Sequence, residues 1–564
     1  MATVDSCDND DVMLMNEFRI ARGRLVEALR DPSGSQWQLL STLLHESRDT
    51  VIGRTHDFAS IRSLADYQKR VPVCEYDDIA PYVQRMLAGE PDVLIPGRPL
   101  FCAQTSGSSG RPKQILFPDN VRGEYIALLG PMFASMADDL PGFARYAVTL
   151  SGKYLEGQSP GGIPVGSASG LVRNLFPDWP PFAALPECVF ESTTYDARYY
   201  TMLYLLLQRP LRAIQALNPS TIITLFKKAA EFAEPLADDI AHGRLVAGPA
   251  GTATIADQIR ASSGQLPARN PALAERLRAS VRTHRRFVPA DVWPDLAMFS
   301  TWKGGSARHY LRQLTDYCPQ ASIWPMQCSA TEGGFATPLC QHWVGGLPSF
   351  TASVLEFIEA GNDPAGADII DVVDIRDLRP GQRYQLVLTN SRGLYRHAVD
   401  DVFCVEGFSD GVPIIYYSHR ATATSSLTGE KLTEADVAAA VGAGDAPVSV
   451  IQSFTLAPRW ADPPYYQLLV ELAEPAPPVD QLKVLLARID DELQAVNLEY
   501  SAKRQSQRLG PMQMAILVTG EFDRMRRERS SDIGRSDAQV KLPHLHTELL
   551  DDAGYQIHYT IAMV

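Results

Sequence analysis

The chain has 564 residues, 45% of them hydrophobic and 21% charged, which is ordinary for a globular protein but too long for a single hydrophobic core. The formal net charge of -14 gives no electrostatic support for binding nucleic acid and opposes binding to an anionic membrane. The eight cysteines form no close pair, no apolar run reaches the about 18 residues of a membrane span, and the acidic start is unlike a signal peptide. We therefore predict a cytoplasmic protein of two or more domains.

The first hundred residues are predicted to be largely helical. Apolar residues recur at helical spacing between about residues 13 and 48, which indicates two amphipathic helices separated by a break at Asp31–Gly34. Short helices and turns are expected to lead from there to residue 100.

The stretch Phe101–Phe117 reads FCAQ, then TSGSSGRPK, then QILF, and it predicts a phosphate-binding loop. Two glycines allow backbone N–H groups to approach an anion, hydroxyls add donors, and a lysine adds a compact positive charge. The Walker pattern differs, because it places Gly-Lys-Ser/Thr at the start of a helix. The alternative is a polar hairpin turn. The candidate ligands of the phosphates are Thr105, Ser106, Gly107, Ser108, Ser109, Gly110 and Lys113.

Glycine, proline and serine are frequent between about residues 121 and 180, and we expect loops that line a pocket there. Residues 195–242 are predicted to be helical, with interruptions at Arg209-Pro210 and Asn218-Pro219. A further helix is expected over residues 272–286, with its arginine-rich face in solvent.

After residue 295 the pattern alternates between strands and a helix, which favours an α/β core. Strands are predicted at residues 296–301 and 322–326, with a tight loop at 303–306 and a helix over 310–317 between them. A smaller β subdomain is predicted from strands at 353–358, 369–373, 384–389, 401–406 and 414–417. The predicted fold class is thus α/β, with a large N-terminal domain, residues 1–419, and a small α+β domain, residues 420–564. The latter is expected to contain strands at 448–456, 465–472 and 514–518 and a helix with Leu482, Leu485, Ile489, Leu493 and Val496 on one face.

The segment Cys328–Gly334, sequence CSATEGG, follows a predicted strand and ends in two glycines. Ligands bind at such carboxyl ends of strands in α/β proteins. Glu332 is a candidate Mg²⁺ ligand and Thr331 a candidate donor to the α-phosphate. The alternative is that Thr331 and Glu332 cap a helix start.

Two later segments carry single candidate residues. In LYRHAVDDV, residues 394–402, an aspartate is suited to accept both ribose hydroxyls; Asp401 is preferred to Asp400, and the alternative is a turn aspartate. His397 is expected to be a surface or packing histidine. In QVKLP, residues 539–543, Lys541 is a candidate for stabilising charge on an α-phosphate, the alternative being a solvated lysine.

Taken together, the chain resembles the acyl-acid amido synthetases of the plant auxin-responsive-promoter family, a branch of the adenylate-forming, firefly-luciferase-like superfamily. The phosphate loop resembles that of the whole superfamily. The branch is indicated by DTVIGRTHDF, the VP…YDDIAPYV…GE block, LADDIAHG, LYRHAVDDVFCVEGF, LTGEKLTE and QVKLP, which span nearly the whole chain.

This resemblance implies a large adenylation domain that binds ATP and the acyl substrate, with a small C-terminal domain that swings between two half-reactions. It implies that residues 105–113 bind the ATP phosphates, that Thr331 and Glu332 lie at the α-phosphate and Mg²⁺, and that Asp401 binds the ribose. It also implies that Gly304 and Gly305 border the nucleotide, that Arg420 lies at the hinge, and that Lys541 acts at the transferring centre.

The implied reaction joins a small-molecule carboxylic acid, activated with ATP as acyl-AMP, to an amine, expected to be an amino acid. Two alternatives stay open: a ligase that forms a thioester with coenzyme A or a carrier protein, and a non-catalytic nucleotide-binding descendant. Cys328 departs from the tyrosine that the family usually has, and Asp400 from its usual glycine. Alanine-, proline- and arginine-rich usage favours a bacterial source over a plant, so a role in hormone conjugation is not implied. A conjugating step in specialised metabolism is the role we expect instead.

Overall fold

A computed structural model describes residues 5–105, 113–192, 195–263, 265–304, 307–359, 372–420, 424–442, 450–472, 476–522, 524–525, 544–547, 549 and 554–562. The chain divides into two compact units, with a division after Ala421. The larger unit combines helices with parallel and antiparallel sheets, and the smaller is an α+β unit. The predicted fold class, mixed α/β with a large N-terminal and a small C-terminal domain, is confirmed.

The chain begins with five helices: α1 (Asp5–Ala28), α2 (Pro32–Ser47), α3 (Val51–Thr55), α4 (Leu64–Arg70) and α5 (Tyr76–Leu87). The predicted break is shorter than expected, because Asp31 acts as the N-cap of α2. Its carboxylate accepts a hydrogen bond from the Gly34 N–H at 3.1 Å, and Pro32 stands at the first helical position.

The next elements are β1 (Phe101–Thr105), β2 (Lys113–Phe117), α6 (Val121–Asp139), β3 (Ala147–Leu150), β4 (Gly157–Gln158), β5 (Pro164–Gly166), α7 (Ala168–Leu175), α8 (Pro180–Ala183), α9 (Glu187–Glu191) and α10 (Tyr195–Leu207). The prediction of loops over residues 121–180 is therefore wrong for residues 121–139, whereas residues 151–163 are largely loop and residues 156–160 line a pocket with Gln84 and Gln114. Gly130 and Pro131 lie inside the buried helix α6. A Cβ at Gly130 would lie 2.9 Å from a ring carbon of Phe18, so this glycine permits close packing against α1 and does not end the helix.

The chain continues with β6 (Ala213–Ala216), α11 (Pro219–Glu231), α12 (Ala233–His242), α13 (Thr252–Ser263), α14 (Pro271–His284), α15 (Pro289–Val292), β7 (Met298–Thr301), α16 (Arg308–Tyr317) and β8 (Ser322–Pro325). Strands β3, β6, β7 and β8 form a parallel sheet in that order. The predicted helical stretch 195–242 is wrong at residues 213–216, which form strand β6. Four buried residues between two prolines are too few to show a recognisable strand pattern. Of the four arginines predicted to face solvent, Arg282, Arg285 and Arg286 are exposed, whereas Arg278 is half-buried.

Short strands and then a larger antiparallel sheet complete the unit: β9 (Cys328–Ser329), β10 (Gly334–Thr337), β11 (Leu347–Pro348), β12 (Val354–Glu359), β13 (Arg383–Thr389), β14 (His397–Ser409) and β15 (Val412–Arg420). The last four strands pair in sequence order, which confirms the β subdomain. The predicted strand at 369–373 lies largely outside the described residues. His397 is 1% exposed and is a packing residue.

The smaller unit contains β16 (Thr424–Ser425), β17 (Leu432–Thr433), α17 (Glu434–Gly442), β18 (Ile451–Arg459), β19 (Tyr465–Leu472), α18 (Val479–Val496), α19 (Leu498–Gln505), β20 (Gln513–Leu517) and β21 (Ile557–Ala562). Strands β18, β19, β20 and β21 form one sheet in that order. The buried face of α18 carries Leu486 in addition to the predicted residues, of which Leu485 is partly buried against the same core and Val496 is 37% exposed. Among the described residues, no helix is long and apolar enough to cross a membrane.

Candidate active site

The Thr331–Glu332 segment forms a tight turn that connects β9 to β10. The Ala330 N–H donates to the Gly333 carbonyl at 2.9 Å, and the Gly333 N–H donates back to the Ala330 carbonyl at 3.2 Å. Strand β10 follows directly, so the alternative of a helix cap is wrong. Glu332 is 8% exposed and lies in a hairpin turn that is closed by both of these hydrogen bonds.

Tyr76, at the start of α5, links this turn to the strand that follows the predicted phosphate loop. Its hydroxyl accepts a hydrogen bond from the Gln114 N–H at 2.7 Å and donates to the Gln114 carbonyl at 3.3 Å. Burial raises the pKa of Tyr76, and the nearby Glu332 carboxylate raises it further. Glu332 and the beginning of β2 are thus close to the same tyrosine.

A second turn, Asn390–Arg392 between β13 and β14, holds the backbone of the Thr331–Glu332 turn. The Asn390 Nδ2 donates to the Glu332 carbonyl at 2.7 Å, and the Arg392 Nη1 donates to the Thr331 carbonyl. The sequence analysis missed both residues. The one signal available was the polar turn sequence NSRG, which is common in loops of every kind.

Asp401 lies in β14, opposite Arg420 of β15, and is 9% exposed. Cys328 lies in the same hydrophobic cluster as Val399 and Phe403, which stand on either side of Asp401 in β14. Burial raises the pKa of the Cys328 thiol to about 11, and the charge of Asp401 contributes to the rise. The structure therefore brings the aspartate motif next to the start of the CSATEGG motif. Asp400, the other candidate, is half-buried on the same strand.

Gly304 follows β7 and borders the sheet that carries Asp401. A Cβ at this position would lie 2.6 Å from the Tyr417 carbonyl oxygen in β15, so a side chain here would displace backbone. The neighbouring Lys303 donates from Nζ to the Gln341 carbonyl at 2.9 Å, and burial lowers its pKa. This fixes the loop at the carboxyl end of the parallel sheet.

The other predicted site residues are described in part or not at all. Thr105 ends β1, and Lys113 begins β2 and is half-buried; the two strands are neighbours in one sheet. Arg420 is described as the last residue of β15. Outside the described residues lie Ser106, Gly107, Ser108, Ser109, Gly110, Gly305 and Lys541.

The Glu332 carboxylate suits a magnesium ion that takes its other ligands from phosphate oxygens and water. No group of three or more His, Cys, Asp or Glu side chains able to hold a metal ion occurs in the part of the chain that the structure describes. Mg²⁺ commonly binds proteins through one or two carboxylates, keeps several waters and takes its remaining ligands from substrate phosphates. Glu332, on its hairpin, fits that mode.

Comparison with known proteins covers nearly the whole chain. Proteins with curated names include a probable indole-3-acetic acid-amido synthetase of Oryza sativa subsp. japonica, 26% identical over 91% of each chain. Another is a jasmonoyl-L-amino acid synthetase of Nicotiana attenuata, 23% identical over 85% of this chain and 84% of the relative. Among solved structures, the GH3.15 acyl acid amido synthetase has a TM-score of 0.60 at 21% identity, covering 95% of this chain and 96% of that one. The AtGH3.15 complex with 2,4-DB gives 0.62 at 20%, covering 96% and 97%, and both likenesses show the fold alone.

Three family domains match in order along the chain. The GH3 family N-terminal domain matches residues 21–323, the central domain residues 347–420, and the C-terminal domain residues 435–549. The first match alone covers more than half of the 564 residues. The chain belongs to the GH3 family.

Proposed function

We propose that this protein is an ATP-dependent acyl-acid amido synthetase. It activates a carboxylic acid as acyl-AMP and transfers the acyl group to an amine, most naturally an amino acid, forming an amide. The observation that carries the proposal is the match of all three GH3 family domains along the chain, together with relatives named as acid-amido synthetases over about nine-tenths of their length. The proposed domains are an adenylation domain, residues 1–419, and a mobile domain, residues 420–564.

The proposed roles follow the motifs. The phosphates of ATP bind at residues 105–113, the ribose at Asp401 and the α-phosphate beside Thr331, while Gly304 and Gly305 border the nucleotide. Glu332 would hold Mg²⁺, which supplies charge neutralisation for the phosphate oxygens when it is bound. The short distances from Asn390 and Arg392 to the turn support this, because a carboxylate that binds a cation needs a fixed backbone.

In the first step the carboxylate of the acid attacks the α-phosphorus of ATP, and pyrophosphate leaves. Thr331 donates a hydrogen bond to the α-phosphate, and Lys541 offsets the negative charge that builds up there. In the second step the smaller domain turns about Arg420, Lys541 withdraws, and an amine attacks the acyl carbonyl, releasing AMP. One cleft must exclude water in the first step and admit an amine in the second, which is the physical reason for a mobile domain.

The test has an acid arm and an amine arm. Pyrophosphate exchange with a panel of carboxylic acids identifies acids that are adenylated, and mass spectrometry of products with mixed amino acids identifies the amide. A thioester with coenzyme A and no amide would establish the alternative ligase. Binding of ATP without exchange for any acid would establish the non-catalytic alternative.

The role of Lys541 is tested separately. Lys541→Ala should reduce pyrophosphate exchange by about a hundredfold or more, while amide formation from supplied acyl-AMP stays largely intact, since the lysine acts on charge at the α-phosphate. Lys483→Ala, an exposed lysine in the same unit, is the control and should change neither step. Equal loss of both steps in the Lys541 variant would contradict a role of this lysine in adenylation alone.

A further inference from the structure

A buried ion pair lies directly behind the Thr331–Glu332 turn. Arg392 and Glu124 are joined by a contact of 2.5 Å, with side chains 1% and 6% exposed. The second carboxylate oxygen of Glu124 accepts from the Ser391 hydroxyl at 2.6 Å. Glu124 is therefore held by two neighbouring residues of one turn.

The guanidinium of Arg392 also lies over two aromatic rings. Its central carbon lies 4.4 Å from the ring centre of Phe117 and 5.3 Å from that of Tyr125, and these two rings stack with an angle of 6°. Phe117 ends β2, and Tyr125 belongs to the first turns of α6. A desolvated cation over aromatic rings gains about 2 kcal/mol. The Arg392 side chain thus joins the end of β2, the start of α6 and the β9–β10 turn.

Two carboxylates act on the guanidinium of Arg392, and Glu124 acts more strongly than Glu332. Burial alone would lower the pKa of its guanidinium, but the carboxylate of Glu124 raises it, and Glu332 adds a smaller contribution. Arg392 therefore has two acidic neighbours, of which Glu124 is the direct partner. The Arg392 contact to the Thr331–Glu332 turn runs to the Thr331 carbonyl oxygen.

We propose that Arg392 and Glu124 are positioning residues for the Thr331–Glu332 turn: Arg392 fixes the backbone of the turn, and Glu124 occupies Arg392 so that the Glu332 carboxylate stays available to the cation of a bound nucleotide. The inference rests on the proposed function, since it assigns to Glu332 the cation that accompanies ATP. Glu124→Gln would leave a buried guanidinium without its counter-ion, and Glu332 is the other carboxylate whose charge acts on that guanidinium. Cation affinity would then fall, although the altered residue does not touch the cation.

The same unit offers a matched control. Arg396 and Glu356 form a second buried ion pair at 2.8 Å, with side chains 6% and 4% exposed. Arg396 donates to the carbonyls of Gln68 and Val71. Among the described residues, the hydrogen bonds of the Arg396 side chain run to Glu356, Gln68 and Val71, and none of them reaches the Thr331–Glu332 turn. Glu356→Gln therefore removes an ion pair of the same kind and burial without disturbing that turn.

The experiment measures binding of Mg²⁺ to the full-length protein with saturating ATP, by isothermal titration calorimetry, beside the melting temperature of each variant. Glu124→Gln should raise the Mg²⁺ dissociation constant about tenfold or more, the usual cost of losing an outer-shell partner of a metal ligand. Glu356→Gln should leave that constant unchanged while lowering the melting temperature by a similar amount. A normal Mg²⁺ constant in Glu124→Gln, or an equal shift in both variants, would overturn the inference.

Two further variants separate charge from geometry. The double variant Glu124→Gln with Arg392→Met has no orphaned cation, so it should recover most of the Mg²⁺ affinity while pyrophosphate exchange stays slow, because the Thr331 carbonyl has lost its donor. No recovery of Mg²⁺ affinity in the double variant would overturn the charge argument.

If Glu124→Gln does not fold, Glu124→Asp is the alternative, because it keeps the charge on a shorter side chain. It should shift Mg²⁺ affinity in the same direction by a smaller factor, and no shift would count against the inference. Failure of the wild-type protein to bind ATP would instead reject the proposed function.

Discussion

Glu430 gives the sharpest prediction for the smaller unit, because its buried carboxylate collects four donors. The residue is 0% exposed. One oxygen accepts from the Leu427 N–H and from the Tyr466 hydroxyl, and the other accepts from the Thr428 N–H at 2.7 Å and the Thr428 hydroxyl at 2.8 Å. These bonds close the LTGEKL turn onto strand β19.

Glu430→Gln changes neither size nor shape, but it replaces one acceptor oxygen with an N–H₂ donor. The two hydroxyls can rotate to become acceptors, whereas the backbone N–H groups of Leu427 and Thr428 cannot. In either orientation of the amide, one buried N–H loses its acceptor, which costs about 1–3 kcal/mol. The remaining bonds lose their charge assistance, at about 1 kcal/mol each. Since the buried charge itself is also removed, the expected net loss is about 3 kcal/mol.

Hydrogen exchange monitored by mass spectrometry is the suitable assay, since a chain of two compact units does not unfold in a single step. The amides of Leu427 and Thr428 should exchange about a hundredfold faster in Glu430→Gln, which corresponds to about 3 kcal/mol. Tyr466→Phe should show a smaller effect, because it removes one donor and leaves the others in place. Glu492→Gln, the same substitution at a partly exposed position of α18, is the control. If these two amides exchange at the same rate in Glu430→Gln as in Glu492→Gln, the reasoning is refuted.

Three further predictions concern single buried groups. Burial lowers the pKa of Lys503 from 10.5 to about 8, so between these values the unfolded chain binds more protons and the stability of the smaller unit rises with pH. The free energy of opening of that unit, measured by hydrogen exchange of its buried amides, should therefore rise in the wild type relative to Lys503→Gln between about pH 7 and pH 9.5, and a relative fall would contradict this. Cys328 has a pKa of about 11, so at about pH 8 it should react with iodoacetamide at least about tenfold more slowly than the half-buried Cys340. Mass spectrometry of the native protein measures both rates, and equal rates would contradict the prediction. Asp239→Ala should speed hydrogen exchange of the Val246 and Ala247 amides by about a hundredfold or more, equivalent to about 3 kcal/mol, because the carboxylate accepts from both amides and from the Tyr200 hydroxyl at 2.9 Å. An acceleration below about fivefold would show that the loop finds other partners.

The sequence by itself determined the class of the protein and the order of its motifs. The CSATEGG and LYRHAVDDV segments are short, and their residue types and spacing are readable without a fold. Long strands with several alternating residues, such as those of the β12–β15 sheet, were predicted close to their observed positions, because local pattern and burial agree there. The roles of Ser106 and Lys541 stay predictions, since both lie outside the described residues.

The tertiary structure decided what local pattern cannot express. Helix α6 was hidden by Gly130 and Pro131, and strand β6 by its length of four residues, because both depend on what packs against them. The pairing of Arg392 with Glu124 joins positions 268 residues apart. Neither residue belongs to a motif, and each alone has the appearance of an ordinary surface charge. Only the folded chain brings them behind the Thr331–Glu332 turn, because electrostatic partnership depends on distance in space and not on distance along the sequence.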